Sequence, residues 1–263
     1  MSTRESANPW VSILTPVANG WEYLEQCAES VFSQILRVGD VCVTCEWLVG
    51  INGHGETGGE AMKTALRLQR SKDGGELQMR VVNLPGVKGK VAAMNELVAL
   101  SRGEWVAILD CDDTWEPYKL VAQKGAIESQ AKGAGVVGTL CWYFGEWVSA
   151  GPDLPLEWVP HAAFKEGNPI INSSAILKRD YALWSDTWWG LDDYDMWLRL
   201  NKGGVKFYNV PLRLVNHRIH GASAFNASGK QDIKGLQRSY FKESEADNTE
   251  WEEKQQSSPH TIQ

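Results

Sequence analysis

Short apolar runs alternate with segments of helical periodicity through the first half of the chain. Strands are predicted at 11–14, 41–51, 79–84 and 105–109, and helices at 22–34, 61–70, 91–100 and 117–130. Pro16 is expected to end the first strand, because proline has no N–H to donate to a neighbouring strand. Strands that alternate with helices predict a mostly parallel sheet covered on both faces.

The pattern changes after Val136. Strands are predicted at 136–144, 170–177, 206–210 and 212–217, and long loops join them in place of regular helical crossovers. The loop 149–169 contains four prolines, and so long a connection in a compact domain is often functional. Asp195 and Arg199 stand four residues apart in a short predicted helix and can form an ion pair. The second half is therefore expected to be a mixed α/β structure.

Polar residues follow the predicted parallel strands of the first half. Thr15, Asn52, Lys88 and Asp110 all lie at or after strand ends. Ligands of open α/β sheets bind beyond the carboxyl ends of the strands, so one pocket can collect these residues. Lys88 and Lys90 precede a helix and can hold phosphate, although a solvated basic loop is the alternative.

An acidic stretch follows the fourth predicted strand. Asp110, Asp112 and Asp113 come directly after the buried run WVAIL in WVAILDCDDTW. Three neighbouring carboxylates repel one another unless a cation lies among them, and a divalent metal ion with oxygen ligands meets that need. The alternative is an acidic turn that caps the next helix, which is expected to account for Asp113. Asp192 and Asp193 begin a later helix, where capping is again the alternative.

Composition narrows the function classes. The chain has 43% apolar and 22% charged residues, as soluble globular proteins have, and its net charge of -7 argues against nucleic acid or an anionic membrane as partner. Neither a transmembrane segment nor a signal peptide is predicted, so a cytoplasmic location is expected. The five cysteines suit a reducing compartment, and Cys42 and Cys45 are expected to be buried thiols rather than zinc ligands. The 13 tryptophans favour a carbohydrate-handling surface.

Three segments in order resemble the family 2 glycosyltransferases of the GT-A fold. They are VSILTPVANGWEYLEQCAESVFSQ near the start, KGKVAAMNELVALSRGEWVAILDCDD in the middle, and GLDDYDMWLRL followed by HRIHGASA. The resemblance implies an α/β fold with a Rossmann-like nucleotide-binding sheet and a mixed acceptor-side half. One domain is expected at 1–225, divided into a nucleotide-sugar half at about 9–115 and an acceptor half at 116–225. The composition after Ala224 is rich in polar residues and predicts a polar, partly disordered tail at 226–263.

The resemblance also implies an inverting enzyme that uses a nucleoside-diphosphate sugar and Mn²⁺ or Mg²⁺. Asp110 and Asp112 match the family's DxD acids, of which Asp112 would bind the metal and Asp110 the ribose or the metal. His220 matches a position that approaches the metal or the diphosphate. Asp193, with Asp192 beside it, matches the general base. In donor binding the resemblance implies Thr15, Pro16 and Asp110, and the places of Asn52, Lys88 and Lys90 after strand ends add these three to the expected set.

Two departures from the family's sequence pattern leave the nucleotide of the donor unassigned. Ile51-Asn52-Gly53 replaces an acidic run that contacts the base in relatives, and Met94 replaces an arginine. UDP-sugar is the first expectation, with guanosine and thymidine diphosphate sugars as alternatives. The acceptor is expected to be a glycan, a lipid-linked molecule or a protein.

Two other functions are compatible with parts of this pattern. A sugar-1-phosphate nucleotidylyltransferase would share the sheet, but the segment after the first strand lacks that class's basic, glycine-rich loop. A non-catalytic glycan- or nucleotide-sugar-binding protein would explain the two departures, but the acidic residues and His220 argue against it.

Overall fold

The computed structural model describes residues 8–71, 77–221 and 231–241. The strands are β1 (Val11–Val17), β2 (Arg37–Val38), β3 (Val41–Cys42), β4 (Cys45–Asn52), β5 (Gln78–Leu84), β6 (Trp105–Ile108), β7 (Thr114–Trp115), β8 (Val136–Gly145), β9 (Ser149–Ala150), β10 (Glu157–Trp158), β11 (Ile176–Lys178) and β12 (Phe207–Ile219). The helices are α1 (Leu24–Phe32), α2 (Gly59–Ser71), α3 (Gly89–Leu100), α4 (Lys119–Glu128), α5 (Ala163–Glu166), α6 (Asp192–Lys202) and α7 (Ile233–Phe241), with 3-10 turns at Trp21–Tyr23, Asn172–Ser174 and Arg179–Tyr181.

One mixed sheet organises the described part of the chain. Its main strands lie in the order β10, β12, β8, β11, β6, β1, β4, β5. The strands β5, β4, β1 and β6 are parallel, whereas β11 runs antiparallel to both of its neighbours. The predicted α/β class is confirmed, with a parallel first half and a mixed second half. Because the chain passes from β1 outward to β5 and then returns to β6, the strand order reverses between β1 and β6. Ligands of such sheets bind at that crevice.

Alternation along β1 explains why both faces of the sheet are covered. Val11, Ile13 and Val17 pack into a core that includes buried residues of α1, α2 and α4. Leu14 points to the other face, where α3, α6 and α7 supply the second core. Successive side chains of a strand face opposite sides, so an apolar residue at nearly every position requires helices on both.

The prediction that Pro16 ends the first strand was wrong. β1 continues to Val17, and Pro16 pairs in register with Gly50 of β4. The carbonyls of Trp10 and Leu14 accept hydrogen bonds from β6 and from Leu109 just after it, so the backbone of Pro16 also faces that side. Pairing between β1 and β6 stops at Leu14. The missing N–H therefore costs no ladder hydrogen bond.

The second half also differs from its predicted strand boundaries. The run 170–177 is not one strand, because a 3-10 turn at Asn172–Ser174 precedes the short β11. The two strands predicted at 206–210 and 212–217 are one strand, β12, in which register shifts between Val210 and Val215 absorb Pro211. The long proline-rich loop contains β10 and α5.

Part of the predicted polar tail packs against the domain. Leu236 of α7 is fully buried in the second core, and the Tyr240 hydroxyl donates to Asp195 at 2.7 Å. Apart from 231–241, the tail lies outside the described residues, and the division of the domain into two functional halves stays a prediction. None of the described helices has the length and apolarity needed to cross a membrane. Cys45 is buried, whereas Cys42 is half-buried.

Candidate active site

Asp110 lies just after β6, at the crevice where the strand order reverses. Lys90, in the first turn of α3, places its Nζ 2.8 Å from Oδ1 and 3.0 Å from Oδ2 of Asp110. Asn172 donates its side-chain N–H to Oδ2 at 2.9 Å, and the backbone N–H of Asp110 donates to Ser173 Oγ at 3.1 Å. Burial alone would raise the pKa of Asp110, but Lys90 and these hydrogen bonds lower it. Asp110 is therefore held ionised in one orientation.

Lys90 links the two acidic clusters. Burial opposes its charge, but the carboxylates of Asp110, Asp192 and Asp193 raise the pKa of Lys90. Asp192 and Asp193 belong to the first turn of α6, about a hundred residues further along the chain. The structure thus brings together residues that the sequence placed at a strand end and at a distant helix start.

Asp112 faces His220. The His220 Nε2 lies 2.9 Å from Asp112 Oδ2, and both side chains are mostly buried. Burial and the nearby charges of Asp113 and Asp110 raise the pKa of Asp112, while the hydrogen bond from His220 lowers it. Asp112 therefore stands in a negative environment that a cation would relieve.

The pair formed by Asp112 and His220 brings together one carboxylate oxygen and one imidazole nitrogen, which are 2.9 Å apart in a hydrogen bond. Both are donor types that a divalent metal ion such as Mn²⁺ accepts. Among the described residues, no group of three or more His, Cys, Asp or Glu side chains forms a complete site. Mg²⁺ is usually held by one or two carboxylates together with water and substrate phosphate, so two protein ligands fit that mode of binding.

Asp113 does not cap a helix, and that prediction was wrong. Its side chain accepts hydrogen bonds from His217 Nδ1 at 3.0 Å and from the backbone N–H of Arg218 at 2.8 Å. The next helix, α4, begins after Tyr118 with no side-chain cap. Burial disfavours a charged His217 ring, but Asp113 raises its pKa to about 9. Asp113 therefore joins the acidic turn to the end of β12.

Asp193 has the environment of a proton acceptor. Burial and the neighbouring charge of Asp192 raise the pKa of Asp193 to about 6, against the lowering effect of Lys90. Asn168 donates its side-chain N–H to Asp193 Oδ2 at 3.0 Å. The Oδ2 of Asp192 is buried and has no hydrogen-bond partner in the described part of the chain. A carboxylate with a pKa near neutrality is suited to general base catalysis.

The residues predicted to bind the nucleotide occupy different environments. Thr15 is fully buried and its hydroxyl accepts a hydrogen bond from Trp47 Nε1 at 3.0 Å. Asn52 is buried, donates to the Gly89 carbonyl at 3.3 Å, and keeps an unpartnered Oδ1. Pro16 is buried in β1, whereas Lys88 is exposed just before α3. Of these residues, Asn52 offers an unused polar atom and Lys88 an exposed charge.

Three residues that support the site were missed by the sequence reasoning. Asn172 and Ser173 orient Asp110, and Asn168 orients Asp193. The polar triplet Asn172-Ser173-Ser174 interrupts an apolar run, and that interruption was the available signal. Nothing in the local sequence marks Asn168, because its partner is 25 residues away.

Arg218 is a fourth missed residue. Its guanidinium lies 4.2 Å from the ring centroids of both Tyr23 and Phe144. Its Nε donates to the backbone carbonyl of Asp112 at 2.8 Å, and its Nη2 donates to Gln26. Tyr23 also lies against His220, with ring centroids 5.5 Å apart. Arg218 thus fixes the acidic turn relative to α1 and β12.

Comparison with known proteins adds family information to this geometry. The sequence model of the family described as Glycosyl transferase family 2 matches residues 60–178. The matched segment contains Lys90, Asp110 and Asp112 but ends before Asp193. A comparison with curated protein sequences finds no match.

Several solved structures share the fold. The mannosyltransferase PcManGT from Pyrobaculum calidifontis, solved in complex with GDP-Man and Mn²⁺, has a TM-score of 0.59 and 16% identity over 83% of this chain. S. aureus TarS 1-349 in complex with UDP-GlcNAc has a TM-score of 0.66 and 12% identity over 88% of this chain. The aligned region spans 59% and 65% of those two chains. At these identities the similarity establishes the fold, which is of the GT-A type.

Proposed function

We propose that this chain, whose residues 60–178 match the model of glycosyltransferase family 2, is a glycosyltransferase that moves a sugar from a nucleoside-diphosphate donor to a hydroxyl acceptor with inversion and with the help of a divalent metal ion. The observation that carries the proposal is the ion pair of Lys90 with Asp110, together with the electrostatic influence of Asp192 and Asp193 on the same ammonium group. A cation-binding end and a proton-accepting end would therefore lie close to each other.

The donor end consists of Asp112, His220 and the α3 turn. Asp112 and His220 would hold Mn²⁺ or Mg²⁺, and the ion, when bound, supplies charge stabilisation for the departing diphosphate. Lys88 is exposed beside the N-terminus of α3, where the helix dipole and free N–H groups favour phosphate. The neighbours solved with GDP-Man and Mn²⁺ and with UDP-GlcNAc support this assignment.

The acceptor end is built on Asp193. In a single displacement the acceptor oxygen forms a bond to the anomeric carbon while the bond from that carbon to the diphosphate oxygen breaks. The proton of the acceptor hydroxyl moves to a carboxylate oxygen of Asp193, whose pKa is about 6. Asn168 holds the carboxylate in place. The acceptor belongs to the glycans, lipid-linked molecules or proteins that carry such a hydroxyl.

The nucleoside end includes Thr15, Pro16 and Asn52. The Oδ1 of Asn52 is buried and unpartnered, so a small side-chain movement toward the crevice would let it accept a hydrogen bond from an imide N–H of a base. Uracil has such a group, so UDP-sugar is our first choice, while thymine and guanine offer a comparable N–H. One neighbour holds a guanosine nucleotide sugar and another a uridine nucleotide sugar, so both bases are accommodated on this fold.

The test is to incubate the protein with a panel of UDP-, GDP- and dTDP-sugars, with and without Mn²⁺, and to measure release of nucleoside diphosphate. We expect metal-dependent release from one nucleotide class. The variant Asp112→Ala is expected to lose metal-dependent donor binding by calorimetry, with thermal unfolding as the control for folding. Failure of every donor to give metal-dependent release, in the presence of mixed saccharide and lipid-linked acceptors, would contradict the proposal.

A further inference from the structure

A cavity of about 490 Å³ lies on the flank of the candidate active site, between α3, α6 and the loop at 183–186. Val91 and Asn95 of α3, Trp184 and Asp186 of the loop, and Arg199 of α6 are among its lining residues. Val91 follows Lys90 directly. Arg199 lies six residues beyond Asp193, which is about 9 Å along a helix. Cavities of roughly 300–1,000 Å³ are the size that holds small-molecule ligands.

The loop that closes this cavity is held by both helices. The side chain of Asn95 accepts a hydrogen bond from the Trp184 backbone N–H at 3.0 Å and donates to the Trp184 carbonyl at 3.1 Å. Arg199 donates to the Leu183 carbonyl from the other side. The cavity wall is therefore preformed, and a ligand would not have to order it.

Two polar groups of the wall have no hydrogen-bond partner among the described residues. Trp184 is 3% exposed, and its indole N–H has no hydrogen-bond partner in the described part of the chain. Asp186 is exposed and forms no hydrogen bond or ion pair with the described residues. Both features suit hydroxyl groups, since a hydroxyl oxygen can accept from the indole and a hydroxyl hydrogen can be donated to the carboxylate.

The charge of the cavity selects against anions. Arg199 is already paired with Asp195, with Nε and Oδ2 at 3.1 Å. The exposed carboxylate of Asp186 then leaves a net negative charge in the lining, which disfavours phosphorylated or carboxylated ligands. The apolar side chains of Val91 and Leu183 complete a wall that matches the mixed polar and apolar surface of a neutral sugar.

We infer that this cavity binds a neutral, hydroxyl-rich part of the acceptor, a sugar unit beyond the one whose hydroxyl reacts at Asp193. The inference rests on the proposed function, because it makes α3 and α6 the walls of an acceptor path that starts at the proton acceptor. It predicts that the acceptor is an uncharged glycan with at least two sugar units.

The test follows the Trp184 indole N–H by ¹⁵N NMR in the full chain, with the signal assigned by its loss in Trp184→Phe. The probes are the methyl glycosides of glucose, galactose, mannose and N-acetylglucosamine, with methyl glucuronide as the anionic comparison. We expect at least one neutral glycoside to shift the signal and saturate, and methyl glucuronide to bind at least tenfold more weakly.

Two variants complete the design. Asp186→Asn is expected to change the affinity of the neutral glycoside less than fivefold and to abolish the discrimination against methyl glucuronide, whereas Asp180→Asn, an exposed control, retains both. A Trp184 signal that no neutral glycoside moves, or an equal response to the anionic probe in the unmodified chain, would overturn the inference. Asp112→Ala separates the two proposals, because it should abolish donor binding and leave the Trp184 response intact.

Discussion

Asp110 and Asp193 share the cation of Lys90 and yet have opposite pKa shifts. Asp110 is within 3.0 Å of the Lys90 ammonium and accepts a second hydrogen bond from Asn172, so its pKa is lowered. Asp193 is half-buried beside another carboxylate, and its pKa is raised to about 6. The same residue type is therefore a fixed charge in one environment and, in the proposed function, a proton acceptor in the other. The neighbours, more than the residue, determine the role.

The largest effect is expected when the proton acceptor is removed. Asp193→Asn keeps the shape of the side chain and can keep a contact with Asn168, but it cannot take the acceptor proton. We expect the transfer rate to fall about 1,000-fold, the middle of the range for general base catalysis. Donor affinity measured by calorimetry should change less than twofold. An equal loss of donor affinity would show that both acidic clusters bind the donor, and the division of roles would then be wrong.

Removal of the Lys90 ammonium group tests whether Asp110 and Asp193 respond to the same charge. Lys90→Met leaves Asp110 with Asn172 alone, and we expect the transfer rate to fall about 100-fold because the pocket is misaligned. The base must be deprotonated to act, so activity of the unmodified chain should fall as pH drops through about 6. Lys90 lowers the pKa of Asp193, so its loss should move this acid limb to higher pH.

The matched control for Lys90→Met is Lys88→Met, which removes an exposed charge two residues earlier. Lys88→Met should leave unchanged the midpoint of the acid limb in the plot of activity against pH, and it should weaken donor binding modestly. If Lys90→Met also leaves the midpoint unchanged, Lys90 does not act on Asp193.

Loss of the Arg218 side chain should weaken metal binding at Asp112 and His220 and leave the Asp193 end of the site unchanged. Arg218→Met removes the hydrogen bond to the Asp112 carbonyl and the stacking on Tyr23 and Phe144. We expect Mn²⁺ affinity, measured by calorimetry with nucleoside diphosphate present, to fall about tenfold, as is typical when a residue that orients a ligand is lost. Arg213→Met is the control, since Arg213 stacks on Trp142 and donates to the Cys141 carbonyl. Equal losses in both variants would indicate a general effect on β12.

The smallest effect concerns the His217 and Asp113 pair. The pKa of His217 is raised to about 9 in the folded chain, so its stabilising contribution is complete below about pH 6.5 and is lost as pH rises through 9. The side chain of His217 is 40% exposed, so screening should reduce the contribution to about 1 kcal/mol. We expect the free energy of unfolding to fall by that amount between pH 6 and pH 9.5, in excess of any change seen in His217→Gln. If the free energy of unfolding of the unmodified chain and of His217→Gln changed with pH in parallel, the ion pair between His217 and Asp113 would be contradicted.

The sequence alone was sufficient for the fold class and for the two acidic clusters. Apolar periodicity depends on which side chains are buried, and it is visible in any window of ten residues, so the alternation of strands and helices could be predicted. The positions of Asp110 and Asp193 followed from their places after a strand and at a helix start. The ion pair of Asp195 with Arg199 followed from helical spacing and is confirmed at 3.1 Å.

Element boundaries and capping required the tertiary structure. Proline in β1 is tolerated because β6 has already stopped pairing at that point, which depends on strand order. Asp113 was expected to cap a neighbouring helix, and it instead binds residues more than a hundred positions away. Local propensity cannot anticipate a partner that arrives from another strand.

The pairings within the pocket were decided by the tertiary structure for the same reason. Lys90 meets Asp110 across 20 residues, Asn168 meets Asp193 across 25, and Asp112 meets His220 across 108. Sequence reasoning determined which residue types stand at strand and helix ends. Only the order and register of the strands determined which of these ends meet, and therefore which carboxylate is paired with a cation and which remains able to accept a proton.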